Sequence, residues 1–412
     1  MSASLARDPA LAHVRTRRLL YAENFLITFA VGIFLILPLY FQAQGRNEVF
    51  FGQVFAVGAV GAVACVLASH WLLRRLGLAR LAPWGSLLFC AGSGLYLFSA
   101  AARPSDEWLL YSASLLQGVG WGLFLTQGSL CMSSTSNDID RSYHFTVYGA
   151  YNTLGIGLAP IACSIAMNRF GAGHVTLFGV ATLTSFAAFL ISARAAHANA
   201  GYLEVGKLAG AQPGADAHGV IHVFRLPSVF FLAMVMLCAC VYTSMTNFQA
   251  TFAAAMHIDY TVFFGCYTLA VVSARFGLAR TLSQLPASST VPGLALLMVL
   301  ALALLFGAKT SVLFYAAGAL LLGISYGLLY PTLQAQAVNY APVALKPQAL
   351  IAYSLSYLLL RYLFPYLGAV AVQHHGYDGL LTLLLLCATL SFALGAYFFA
   401  AGPGRVRLQR SW

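Results

Sequence analysis

Two stretches, LLQGVGWGLF at Leu115–Phe124 and LLLGISYGLL at Leu320–Leu329, carry one pattern 205 positions apart. They pair Gly118 with Gly323, Trp121 with Tyr326 and Gly122 with Gly327. At the same spacing Tyr148 answers Tyr353, Pro160 answers Pro365 and Gly171 answers Gly376. Nearer the N-terminus, FQA at Phe41 recurs at Phe248 and VFFG at Val49 recurs at Val262. Each match alone is weak, but in chain order, at offsets between 205 and 213, they describe a parallel repeat.

The repeated unit is a set of membrane spans. The chain is 60% hydrophobic and 8% charged, with a mean hydropathy of +0.80, against roughly a quarter charged in soluble domains. Apolar runs close to the ~20 residues that cross a bilayer cover 19–41, 50–73, 82–101, 108–130, 145–168, 174–194, 228–251, 260–284, 291–308, 311–333, 347–370 and 378–400. Hydrocarbon offers the backbone no partners, so such runs form helices; the period-two alternation of a membrane barrel is absent. The stretch from Ala195 to Pro227 holds glycines, prolines, histidines and charges but no span-length run. The expectation is an all-α polytopic membrane protein with twelve transmembrane helices in two pseudo-symmetric six-helix halves. They cover residues 1–194 and 228–412, with a cytoplasmic linker at 195–227. The first run is too long for a signal-peptide core, contains Glu23, and reads as a retained first helix.

The net charge of +11 does not point to nucleic acid, because its distribution follows topology. Arg7, Arg15, Arg17 and Arg18 precede the first run; Arg74, Arg75 and Arg80 follow the second. Arg141, Arg194, Lys207, Arg225 and Lys346 fall in later connections of the same side, and Arg405, Arg407 and Arg410 close the chain. The other side receives Arg46, Arg103, Arg169 and Lys309. This bias places both termini in the cytoplasm; low lysine with high alanine, glycine and arginine suggests a bacterial inner membrane. The eight cysteines are scattered through the spans and form neither a disulfide frame nor a zinc pattern. No metalloprotease, nucleophile-elbow, phosphate-loop or dinucleotide motif occurs, and His374-His375 with Asp378 reads as a solvated loop. No cofactor, no metal and no enzymatic activity are expected.

With these features the chain resembles the major facilitator superfamily over nearly its whole length. The family's loop after helix 2, G-x-x-x-D-R-x-G-R-R, meets HWLLRRLGLAR here, which keeps Arg75 and Gly77 but has Arg74 for the aspartate. Its helix 4 motif, R-x-x-Q-G, meets SLLQG, with Ser114 for the arginine and Gln117-Gly118 retained. The exporters' G-P-x-x-G-G on helix 5 meets Ala159-Pro160 followed by Cys163-Ser164. The resemblance implies a monomeric secondary active transporter that rocks two halves around a central site. Its cavity would be lined from helices 1, 4, 7 and 10, with a leaning towards proton-coupled export. Uptake by the same fold, or a polytopic membrane enzyme or sensor, are the alternatives.

RRLGLAR at Arg74 and ARFGLAR at Ala274 lie 200 apart. Treating them as the same loop would leave helix 8 about 20 Å long, short of the ~30 Å hydrocarbon layer. The phrase is therefore read as a false echo, and Arg275 as a residue within helix 8. Ionisable groups inside spans cost at least ~2.5 kcal/mol on insertion scales, so those present are candidates for function. Arg361 and Arg275 are expected to hold an anionic small organic substrate, and Glu23, with Arg75 at the loop, to serve coupling or gating, with H+ as the coupling ion. Gln117, Trp121, Tyr242, Asn247 and Tyr326 complete the candidate substrate surface. Asn24, Tyr330, Asn152 and Tyr357 extend it.

Overall fold

The structure is a computed structural model that describes residues 9–102, 106–135, 141–198, 217–278, 281–282, 284–342 and 345–400. Arg7, Arg103, Lys207, Arg280 and the C-terminal arginines lie outside these residues, as does most of the expected linker. Among the described residues every regular element is a helix. The first, α1, is Pro9–Ile33, continued by a 3-10 turn (Phe34–Ile36) into Leu37–Ala43. Then come α2 (Glu48–Leu76), α3 (Leu78–Ala101), α4 (Glu107–Ser134), α5 (Arg141–Phe170) and α6 (His174–Ala198). A seven-residue helix, Ala217–Val223, precedes α7 (Val229–Asn247), which continues as Gln249–Ala255. Next are α8 (Thr261–Ser273, with a π-helical tail Ala274–Leu278), α9 (Ala287–Phe306) and α10 (Val312–Asn339).

The last helical stretch, Lys346–Ala400, is 55 residues long and would extend ~80 Å if straight. It breaks at Gly376, whose φ of 65° and ψ of −168° leave the helical region. It is therefore two spans, α11 (346–375) and α12 (377–400), which gives twelve among the described residues. Positive φ is the conformation that glycine adopts without a Cβ penalty. Gly77 does the same work at φ 76° between α2 and α3.

Contacts group the helices into two compact units. One takes α1 as far as Phe34, α2 from Val57 onward, and α3–α6; the other takes residues 35–56 with α7–α12. In the first unit α3 packs on α4 and α6, and α1 on α5 and α6. In the second unit α9 packs on α10 and the α11–α12 stretch, α8 on α10, and α7 on the α11–α12 stretch. Both repeats therefore use one pairing scheme. Outward-facing leucines and phenylalanines such as Phe98, Leu183, Phe186 and Leu386 are exposed, as helices solvated by lipid require.

Close helix crossings fix the register between repeats. Gly118 and Gly122 on α4 meet Gly58 and Ala62 on α2, and Gly323 and Gly327 on α10 meet Tyr267 and Val271 on α8. The α2/α8 offset is thus 209. It continues at Gly77 and Pro286, which precede α3 and α9, and at Pro83 and Pro292 within them. Gly277, in contrast, lies in the π-helical tail of α8 without positive φ, so the RFGLAR echo is indeed false. Helix 8 is described from Thr261 to Leu278, residues 279, 280 and 283 of the expected 260–284 lying outside the described residues, and Arg275 stands in its π-helical tail. The FQA echo is also coincidental: Phe41 lies inside Leu37–Ala43, whereas Phe248 is the break before Gln249–Ala255. Those two seven-residue helices are counterparts at an offset of 212. The offset falls from 212 to 209 to 205 along the chain, roughly one helical turn at each step.

Candidate functional site

Two polar clusters stand out, each held inside one unit. In the second unit tyrosines from four helices converge: Tyr242 (α7), Tyr267 (α8), Tyr326 and Tyr330 (α10) and Tyr357 (α11). Tyr242 and Tyr326 stack with ring centroids 4.3 Å apart and planes 5° from parallel. Tyr330 meets Tyr357 edge-on at 4.9 Å, and the hydroxyls of Tyr326 and Tyr357 share a hydrogen bond of 2.8 Å. The Arg361 guanidinium lies 5.7 Å from the Tyr242 ring and 5.9 Å from that of Tyr357, within cation–π range. Its carbonyl accepts a hydrogen bond from Thr243 Oγ1 at 2.7 Å, which ties α11 to α7.

Arg275 reaches the same cluster from α8. Its Nε donates to the Gly327 carbonyl at 3.4 Å, where glycine lets α8 and α10 approach. Both guanidinium groups are within electrostatic reach of Tyr242, Tyr267 and Tyr330. Arginine keeps its charge at any physiological pH and offers donors in a planar fork. The cluster therefore combines fixed positive charge, donor groups and aromatic faces.

In the first unit the buried carboxylate of Glu23 on α1 accepts from Ser86 Oγ on α3 at 3.2 Å and from Ser192 on α6. One residue on, Asn24 donates to the Tyr148 carbonyl of α5 at 2.6 Å, and Asn152 donates to Asn24 at 3.4 Å. Tyr21 stacks on Tyr151 at 5.5 Å and bonds His144 Nδ1 at 2.6 Å. This face of α1 is a polar seam.

The remaining candidates are placed differently. Gln117 donates to Ser93 of α3 at 3.1 Å, and Asn247 turns back to Thr243 of its own helix at 2.8 Å. Trp121 is buried against Phe124 with centroids 5.6 Å apart. Arg75 is exposed over the Trp71 ring at 4.8 Å. Tyr267, Ser86 and Ser192 escaped the sequence reading. Serines in spans usually serve close helix packing, and nothing in their spacing signals a carboxylate nearby. Glu48 also escaped it. It stands at the start of α2, where an acid commonly complements the helix dipole, yet it is buried and accepts from Gln42 at 2.8 Å and Tyr377 at 2.9 Å.

The profile of the Major Facilitator Superfamily matches residues 19–365. Solved structures share the fold at low identity. A mutant of the peptide transporter POT in complex with sulfate superposes with a TM-score of 0.74 at 16% identity, covering 95% of each chain. A mutant of the nucleoside transporter NupG gives 0.68 at 15%, covering 93% of this chain and 99% of the other. The human organic anion transporter MFSD10 (TETRAN) gives 0.63 at 15%, with the same two coverages. No curated protein matches the sequence.

Proposed function

We propose that this chain, which belongs to the Major Facilitator Superfamily, is a secondary active transporter of a small organic anion. The observation that carries this reading is the convergence of Arg361 and Arg275, from two helices, on one tyrosine cluster. Two like charges aimed at the same rings raise the local positive potential, and an anion that enters relieves it. A guanidinium fork and phenol hydroxyls suit a carboxylate or a similar oxyanion, while the stacked rings suit its organic body. Two fold relatives bear anions in their descriptions, one as an organic anion transporter and one as a sulfate complex; the fold is compatible with such cargo.

The chain is a multi-pass membrane protein and a transporter rather than an enzyme. We read it as a monomer of a bacterial inner membrane with cytoplasmic termini. Export driven by protons is favoured over uptake, on the Ala159-Pro160 pattern of α5 and the aromatic character of the cluster. An untargeted comparison of metabolites inside and outside cells, with and without the gene, identifies the cargo class. Counterflow in proteoliposomes of the anions so found tests transport without chemical change. Export of anions in gene-bearing cells is expected. Neutral or cationic cargo overturns the anion reading, and faster accumulation in gene-bearing cells overturns the direction.

A further inference from the structure

We propose that the α2–α3 hairpin binds the headgroup of an anionic phospholipid, through Arg75 and Arg80 at its tip and Trp71 and Trp84 one turn deeper. The sequence there, WLLRRLGLARLAPW at Trp71–Trp84, places its tryptophans and two of its arginines as mirror images. Trp71 precedes Arg75 by four residues on α2, and Trp84 follows Arg80 by four on α3. Residues four apart on a helix share a face. Each helix therefore carries an indole and a guanidinium on one stripe, with the guanidinium about 6 Å nearer the tip.

The tip is short and fixed. Gly77 alone joins the two helices, at φ 76°. Its N–H donates to the Leu73 carbonyl at 2.9 Å, and its carbonyl accepts from the Leu81 N–H at 3.1 Å. All four side chains are exposed, Trp71 by 55% and Trp84 by 49%. The stripe on α2 continues inwards as the exposed Leu67. Along one helix face an apolar side chain, an indole and a guanidinium thus follow at four-residue steps. A phospholipid presents the matching order, from acyl chain through glycerol esters to phosphate.

The side chains have the chemistry for such a headgroup. The Arg75 guanidinium carbon lies 4.8 Å from the Trp71 ring centroid. A guanidinium over an indole is held at one face and keeps its N–H edges for a phosphate, which it can grip through two parallel hydrogen bonds. The indole N–H is a donor that settles at the depth of the headgroups. Nothing in the protein answers the charge. The chain holds no aspartate or glutamate between Glu48 and Asp106, and among the described residues neither Arg75 nor Arg80 forms an ion pair. Exposed cations of this kind at a membrane surface attract anionic lipid. Arg74 adds a third positive charge to the same stretch.

The second repeat shows that the joint does not require these residues. At the offset of 209, Arg75 answers Gln284, Arg80 answers Ser289, Trp84 answers Gly293 and Trp71 answers Arg280. Gln284 and Ser289 are exposed, as their counterparts are. An anchoring belt that serves every span alike would recur in both repeats. Two indole–guanidinium pairs gathered on one hairpin are a site instead.

The test uses full-length protein in phosphatidylcholine nanodiscs that carry a small fixed fraction of brominated phosphatidylglycerol. A parallel set carries brominated phosphatidylcholine, since bromine quenches the indoles it touches. Brominated phosphatidylglycerol is expected to quench wild type more than brominated phosphatidylcholine does, and the excess is expected to vanish in the Trp71→Phe/Trp84→Phe protein. Raising the brominated fraction gives a midpoint, which should increase about fivefold in Arg75→Gln and again in Arg80→Gln. Either arginine variant suffices should the other fail to fold. The preference should also weaken at high salt, because exposed charges are screened. Equal quenching of wild type by the two lipids would leave only a general interfacial belt and overturn the proposal. Midpoints unchanged in the arginine variants would place the attracting charge elsewhere and overturn it too. Soluble glycerol phosphate in excess should leave the quenching as it is; relief of quenching would assign the site to a free phosphate ester rather than a lipid.

Discussion

The hydroxyl pair of Tyr326 and Tyr357 offers a test of the tyrosine cluster that separates structure from transport. Both side chains are buried, and their 2.8 Å hydrogen bond joins α10 to α11. Replacing either by phenylalanine keeps the rings, so the stack on Tyr242 and the approach of Arg361 to the Tyr357 ring remain. A buried hydroxyl that loses its partner generally costs ~1–3 kcal/mol. Interhelical hydrogen bonds in membranes average only ~0.6 kcal/mol, with a maximum near ~1.7. The lower range governs here, because the denatured chain in detergent or lipid also finds partners. Each single variant should therefore lose about 1 kcal/mol, and the double variant scarcely more, a coupling of ~0.6–1.7 kcal/mol. Reversible SDS denaturation of Tyr326→Phe, Tyr357→Phe and the double variant measures this. Additive losses, within the ~0.3–0.5 kcal/mol found for independent sites, would refute the pairing. If the hydroxyls also serve the substrate, the double variant loses transport although it is as stable as either single one. Unchanged transport would remove them from the site.

Arg361→Lys keeps the charge but loses the fork and the planar face towards Tyr242. It should weaken binding of the anion by ~1.5–3 kcal/mol, roughly ten- to a hundredfold, with Arg361→Ala weaker still. Equal affinity of wild type for the anion and its neutral amide would refute this. At the helix crossings, a side chain at Gly118 meets the Gly58 carbonyl, whereas one at Gly293 meets nothing within 4 Å. Gly118→Val should thus destabilise by ~1–3 kcal/mol or more, while Gly293→Ala stabilises by up to ~1 kcal/mol; thermal unfolding in detergent ranks them, and the reverse order would sink the assigned register. Gly376→Ala forces a Cβ into φ 65° and ψ −168°, a region essentially reserved for glycine, and should cost ~1–3 kcal/mol; unchanged thermal stability would refute the break at Gly376.

Most of the fold was legible because lipid imposes one solution on long apolar runs. The GVGWG and GISYG pair located the repeat because close crossings of α2 with α4, and of α8 with α10, tolerate nothing larger at Gly118 and Gly323. FQA misled because aromatic and small residues recur by composition alone, and no contact fixes them to one place. Arg361 and Glu23 were visible because charge in a span is rare; Arg275 was expected inside helix 8 on length alone, and that argument did not foresee that the α-helical part stops at Ser273 and a π-helical tail carries the arginine. Their surroundings were not visible. The turn of Gln117 towards Ser93 and of Asn247 towards Thr243 depends on helix rotation, which apolar periodicity sets poorly when both lipid and core are apolar. The burial of Glu48 depends on residues 35–56 packing with α7–α12, a contact between segments hundreds of residues apart.

The counterparts of the three span charges carry a last inference about why they are there. At the offsets fixed by the crossings, Arg361 answers Ile156, Arg275 answers Val66 and Glu23 answers Val235. Each charge has an apolar counterpart in the other repeat, under the same pairing of helices, so the scaffold closes without it. A charge at a span's centre costs ~2.5–3.5 kcal/mol to insert, and one that the scaffold does not need has to be kept for another reason. Substituting each by the residue its counterpart uses should therefore leave the fold intact. Arg361→Ile and Glu23→Val are each expected to leave stability unchanged or to raise it by up to ~4 kcal/mol, the range seen when buried ion pairs give way to well-packed apolar residues. Both should abolish transport of the anion. SDS denaturation and counterflow on the same preparations measure the two effects. A variant that unfolds would show that its charge holds helices together, and the reading of that residue as a transport group would fall.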